Sequence, residues 1–274
     1  MLADQLIKEG ELTESLAQLK EEVRKDPSNS KYRVFLFQLL SLTGEWDKAL
    51  NQLKVAGELD AGTLAMVQTY REAIRCEVLR EEVFAGQRLP LVFGDPEQWV
   101  ALVIEALRLT AEGKYAQSQR MREEAFESAA ATPGSVDDVP FEWIADADSR
   151  LGPILEAIIN GRYYWIPFQR IRSIQLEKPE DLRDLVWAPA YFTWANGGET
   201  VGLIPTRYPG SQHSDNERIC MSRNTEWQEH EGGVFLGMGQ RMLVTEKDEY
   251  PVLDISLISL SREDTEQGSE STDA

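Results

Sequence analysis

Few residues in this chain of 274 have the means to do chemistry, and they are scattered. The best candidate is Asp146-Ala147-Asp148, two carboxylates two positions apart with Glu142 close by. Such a group can hold a divalent cation or work as an acid–base pair. The surrounding stretch, FEWIADADSRLGPILEAIIN, reads as a helix ended by Gly161. On a helix, positions i and i+2 point apart, whereas Asp146 and Arg150 are four apart and pair. Capping or ion-pair duty is therefore the favoured reading, with a metal- or carboxylate-dependent enzyme around Asp146 and Asp148 as the alternative.

The other candidates are weaker. His213 and His230 lie in polar stretches, and Cys76 and Cys220 are far apart, so no zinc-ligand spacing exists. Neither a G-x-S-x-G elbow nor a Walker loop is present. GGVFLGMGQ lies among strands, where turn and bulge glycines explain it better than a dinucleotide fingerprint. Trp143, Tyr163, Tyr164 and Trp165 have the faces to stack on a sugar, but core packing is the plainer use. No catalytic residue, metal or cofactor is expected.

The elements that position these residues divide the chain. In GEWDKAL, Gly44 separates the apolar stripe Tyr32, Phe35, Leu36, Leu39, Leu40 from the stripe Trp46, Ala49, Leu50, Leu53. A glycine with positive φ reverses the chain there, and two helices pack antiparallel. Gly10 precedes Gly44 by 34 residues, the length of a tetratricopeptide unit, and Gly113 in GKYAQS follows at about two periods. DPEQ before it predicts an Asp95 N-cap, Pro96 at the first helical position and a capping box with Gln98. The copy due near residue 78 has no glycine, so one long helix from Thr63 to Gly86 replaces it. The repeats are degenerate, and an irregular helical bundle is the alternative.

TPGSVDDVP, residues 132–140, marks a boundary, after which the period changes. RYYWIP, SIQLE, LVWAPAYFTW, ETVGLIP, VFLGM, QRMLVT and VLDISLISL have strand chemistry. Asn196-Gly197 signals a hairpin, and EKDEYP is expected to join the last two runs in the same way. The expectation is an α+β protein of two domains. Residues 1–132 form degenerate tetratricopeptide-like helical repeats, and residues 140–260 form a mostly antiparallel β-sheet domain with flanking helices. Residues 261–274 form an acidic disordered tail.

The net charge is −19, with −6 in residues 1–132 and −13 in residues 133–274. That field repels phosphate backbones and anionic lipid, which argues against nucleic acid and membrane surfaces. No apolar run is long enough for a membrane span, the N-terminus is not a secretory signal, and two distant cysteines suit a reducing compartment. A cytoplasmic location is expected.

Five stretches carry a family resemblance: WIADADSRLGPILEAIINGRYYWIPFQRI, PEDLRDLVWAPA, PTRYPGS, RNTEW and GMGQRMLV. In order and spacing they resemble the ImpE family, also called TagJ or SciE-type, accessory components of type VI secretion systems. The resemblance covers nearly the whole chain apart from the acidic tail. It implies a non-enzymatic cytoplasmic adaptor that binds a helical segment of the small contractile-sheath subunit, and through it meets the sheath-recycling ATPase. The motif positions Trp143, Asp146, Asp148, Arg150, Arg183, Asp184, Trp187, Arg207, Tyr208 and Trp227 become candidates for partner binding or for the seam between domains. A co-chaperone binding peptide termini is a further alternative, but the first half shows no obvious Lys, Arg and Asn cluster to clamp a carboxylate.

Overall fold

A computed structural model describes residues 2–95 and 97–261. The expected tail, residues 261–274, lies outside the described residues except for Ser261, and Pro96 lies outside them too. The first half is helical: α1 Leu2–Glu9, α2 Leu12–Lys25, α3 Ser30–Leu42, α4 Trp46–Leu59 and α5 Leu64–Phe84. After the short strand β1, Leu91–Val92, come α6 Gln98–Ala111 and α7 Tyr115–Ser128. Gly10, Gly44 and Gly113 sit in the α1–α2, α3–α4 and α6–α7 reversals with φ of +97°, +67° and +75°. The glycine signal therefore located three helical hairpins. Helix α5, 21 residues long, stands alone between the second and third.

The capping box expected at DPEQ does not form. Helix α6 starts at Gln98 with Glu97 at its N-cap and no side-chain cap. Asp95 is instead held in the preceding bend, where its carbonyl accepts from Arg170.

Thirteen further strands follow: β2 Gly134–Val136, β3 Val139–Phe141, β4 Ile144–Asp146, β5 Ile154–Ile159, β6 Arg162–Pro167, β7 Ile171–Leu176, β8 Trp187–Trp194, β9 Glu199–Pro205, and, beyond the one-turn helix α8 Glu217–Cys220, β10 Thr225–His230, β11 Val234–Gly239, β12 Met242–Thr245, β13 Glu249–Pro251 and β14 Leu257–Leu260. Nine strands form one sheet in the order β1-β6-β5-β9-β8-β7-β14-β2-β3, antiparallel except for β1 on β6. A three-stranded sheet β13-β12-β4 and the hairpin β10-β11 complete the β half. Asn196-Gly197 turns β8 into β9 as expected. EKDEYP does not join the last two predicted runs directly: Glu249–Pro251 is itself a strand on β12, and β14 crosses to the large sheet between β7 and β2.

The helix expected over FEWIADADSRLGPILEAIIN is the main correction. That stretch holds β4, a turn and β5. All six residues of ILEAII are buried. Ile154 and Ile158 join a core with the helices, while Leu155, Ala157 and Ile159 join a second core on the opposite face. A strand covered on both faces loses its polar–apolar alternation and reads like a buried helix. The boundary stretch TPGSVDDVP likewise contains the β2–β3 hairpin, with Asp137 and Asp138 both at positive φ.

Candidate functional site

Helix α5 lies on the face of the large sheet that carries Glu156, Tyr163, Trp165 and Trp187, and the contact is charged where a core is normally apolar. Arg80 of α5 donates Nε to Glu156 Oε1 at 2.6 Å and Nη2 to Glu156 Oε2 at 2.9 Å. Arg241 bridges Glu156 and Asp146. Tyr163 and Tyr208 donate their hydroxyls to Glu156 and Asp146 in turn. Trp187 donates its indole N–H to Glu77 of α5 at 3.0 Å. Asp148 accepts from Arg150 Nε at 2.8 Å and from the amide of Gly237 at 2.7 Å. The guanidiniums of Arg80, Arg150, Arg207 and Arg241 and the carboxylates of Glu77, Asp146, Asp148 and Glu156 are all buried, so the seam is charge-balanced.

Burial opposes ionisation of Glu156, but the positive charges of Arg80 and Arg241 outweigh it and hold the carboxyl down at about 2. Asp146 differs: burial dominates over Arg241, Asp148 adds repulsion, and the carboxyl is pushed up to about 6. Both oxygens of Asp146 and both of Asp148 accept hydrogen bonds inside the protein. The i,i+4 pair expected between Asp146 and Arg150 is not formed, because Asp146 is on a strand and Arg150 in a turn. Arg150 pairs with Asp148, and Asp146 with Arg241.

A second set of contacts ties helix ends to the loop region before β10. Glu217 accepts from the amides of Leu12 at 2.5 Å and Thr13 at 2.9 Å, at the N-terminus of α2. Arg223 donates to the carbonyl of Ile7 at 2.9 Å near the end of α1. Buried Arg207 donates to the carbonyls of Ser41 and Leu42 at the end of α3 and to that of Cys220. Each charge matches the sign that the helix dipole and the free backbone groups require. Trp46 packs at 6.1 Å from Trp187 and donates to Glu81 of α5 at 2.9 Å, so it fills the seam as well as the wedge beside Gly44.

The structure brings Asp146, Asp148, Arg150, Tyr208 and, beside Glu77, Trp187 to this seam. Arg207 caps α3. Trp227, half-exposed on β10, packs its ring 5.5 Å from that of Tyr208. Arg183 and Asp184 lie at the edge of the seam, in the turn after β7, where Asp184 closes a capping box with Asp181 and Arg183 lies over the ring of Tyr70 of α5, itself packed on Trp187. Trp143 is exposed and distinct from buried Tyr163 and Trp165. Sequence reasoning missed Glu77, Arg80, Glu156, Arg241 and Glu217. A signal existed for Glu156, a lone charge inside the apolar run ILEAII, and for Glu77 and Arg80, spaced i,i+3 on a long helix.

The helical half also presents an open groove of about 610 Å³ between α4 and α5, walled by Leu50, Leu53, Gly57, Leu64 and Val67. Leu64 is 55% exposed there and neighbouring Leu59 42%. Among the described residues no group of three or more His, Cys, Asp or Glu side chains is placed to hold a metal ion, and no helix is long and apolar enough to cross a membrane.

Fold and seam together define a protein of helical hairpins fastened to an antiparallel sheet by buried ion pairs. The chain belongs to the ImpE family. A profile of the ImpE protein family matches residues 138–259. The type VI secretion system accessory component TagJ of Pseudomonas aeruginosa is 49% identical over 255 residues, which are 93% of this chain and 89% of that one. The same fold is seen in an X-ray crystal structure of a protein from Vibrio parahaemolyticus, with a TM-score of 0.87 at 22% identity, covering 96% of this chain and 98% of that one.

Proposed function

We propose that this protein is a cytoplasmic, non-enzymatic accessory component of a type VI secretion system. Its helical half takes a helical segment of the small contractile-sheath subunit, and through that subunit it meets the sheath-recycling ATPase. The observation that carries this reading is the α4–α5 groove, an open concavity between two helices with a mainly apolar wall. An amphipathic helix laid there covers Leu64 and Val67 with its own apolar stripe. The role named for the Pseudomonas aeruginosa relative supports the secretion context. The carboxylates that invited an enzymatic reading are buried and paired with Arg150 and Arg241, which supports the non-enzymatic reading.

The test is a calorimetric titration with a synthetic helix from the small sheath subunit. Ordering a flexible peptide offsets part of the attraction, so a Kd of roughly micromolar is expected, about −8 kcal/mol. One apolar anchor of the peptide changed to Asp should abolish binding, and a solvent-facing change should not. Equal binding by these two and a scrambled control would refute the mechanism.

A further inference from the structure

The hairpin β10–β11 leaves one of its two edges without a neighbour. In its antiparallel register Phe235 faces Glu229 and Gly237 faces Trp227. On the β11 side the outward main-chain groups are taken. Phe235 exchanges bonds with Ser149, and Gly237 donates to Asp148 and accepts from Arg150. Pairs of this kind alternate with mutually bonded ones along such a ladder, so Trp227 and Glu229 turn their own N–H and C=O groups away from β11. No hydrogen bond within the described residues reaches those groups. Glu226, Trp227, Gln228 and Glu229 are all exposed. We infer that β10 is a docking edge, which takes an extended, basic segment of a partner polypeptide as an added strand.

Three observations select that ligand. Two N–H and C=O pairs, set one strand repeat apart on a single edge, match an extended chain, whereas a helix has its own groups already paired. Glu226, Glu229 and Glu231 lie along this edge or just beyond it, and none is in an ion pair among the described residues. They favour a strand bearing Lys or Arg and oppose a second copy of this chain, whose net charge is −19. Trp227, 38% exposed, and Phe235, 42% exposed, lie on one face of the hairpin and offer a cation and its aliphatic stem an aromatic surface. The strand is held firmly from behind: Tyr208 backs Trp227 at 5.5 Å, and Tyr115 of α7 stacks on His230 at 4.1 Å. By contrast, the end strands β1 and β3 of the large sheet have two and three residues, and prolines blunt β3 at Pro140 and β13 at Pro251. This docking edge is independent of the α4–α5 groove and of whatever fills that groove.

The probe is a capped peptide of alternating lysine and valine, titrated into the ¹⁵N-labelled full chain. It should slow hydrogen exchange at the Trp227 and Glu229 amides by about tenfold or more, in a saturable way. A copy N-methylated throughout keeps the charge but has no N–H to donate, and it should give no protection. A copy with glutamate in place of lysine should fail as well. Glu229→Pro removes one outward N–H and leaves the β10–β11 bonds in place, whereas Glu229→Gln removes the charge alone. The lysine peptide should bind Glu229→Pro about tenfold more weakly than Glu229→Gln. Equal protection by the lysine peptide and either control, or none by any of them, overturns the inference. Protection that grows with protein concentration in the absence of peptide would make a second copy the occupant and overturn it equally.

Discussion

Arg241 stands between Asp146 and Glu156 with no exposed surface, so its removal strands buried charge. Arg241→Met should destabilise the protein by about 3–5 kcal/mol in urea unfolding. A loss below about 1 kcal/mol would show that the seam is not held electrostatically. The two carboxyls respond oppositely to pH. Asp146, at about 6 in the folded state, lies above its unfolded value of about 3.9. Its contribution is fully present below about pH 4 and is lost as pH rises through 6. Glu156, held at about 2, contributes above its unfolded value of about 4.3 and loses that as pH falls toward 2. The stability of the wild type relative to Asp146→Asn should therefore be greater at pH 4 than at pH 7, by about 2–3 kcal/mol. A difference independent of pH would contradict the burial argument. At this scale the sequence was half legible: Asp146 and Asp148 stood out as a pair, but their partners Arg241 and Arg150 depend on a register that only the folded strands set.

Helix ends carry the argument at the scale of elements. Glu217 lies 204 residues from Thr13 in sequence, yet supplies the N-terminal cap that α2 lacks locally. Glu217→Ala should cost about 1–2 kcal/mol, with earlier hydrogen exchange in the first turn of α2 as its signature. Unchanged exchange would mean the cap is not formed in solution. Trp46→Ala should cost about 3–5 kcal/mol, because the ring fills the space between α4, α5 and Trp187; an unaltered melting temperature would sink that packing. The hairpins at Gly10, Gly44 and Gly113 were legible because a tight reversal needs positive φ, which marks the sequence directly. Strand β5 was not. Its apolar run serves two cores at once, and neither period nor length distinguishes it from a helix. A cap supplied from the other half of the chain leaves no local trace at all.

For the whole molecule, one apolar core runs from Ala3 of α1 through Trp165 of β6 to Met221, crossing the boundary that the sequence suggested near residue 132. We propose that residues 1–132 and 140–260 are distinct in composition and layer but unfold together, with one calorimetric transition whose enthalpy equals the van't Hoff value. Two resolved transitions would show independent domains. The central claim is the use of the α4–α5 groove, and the most direct test places a charge in it. Leu64 is exposed, so Leu64→Asp should leave the melting temperature within about 1 °C, since surface changes of this kind are nearly neutral. Titrated with the small sheath subunit, the wild type should bind at roughly micromolar Kd. The Leu64→Asp variant should bind at least tenfold more weakly. Equal binding by the two proteins, or none by the wild type, would contradict the account.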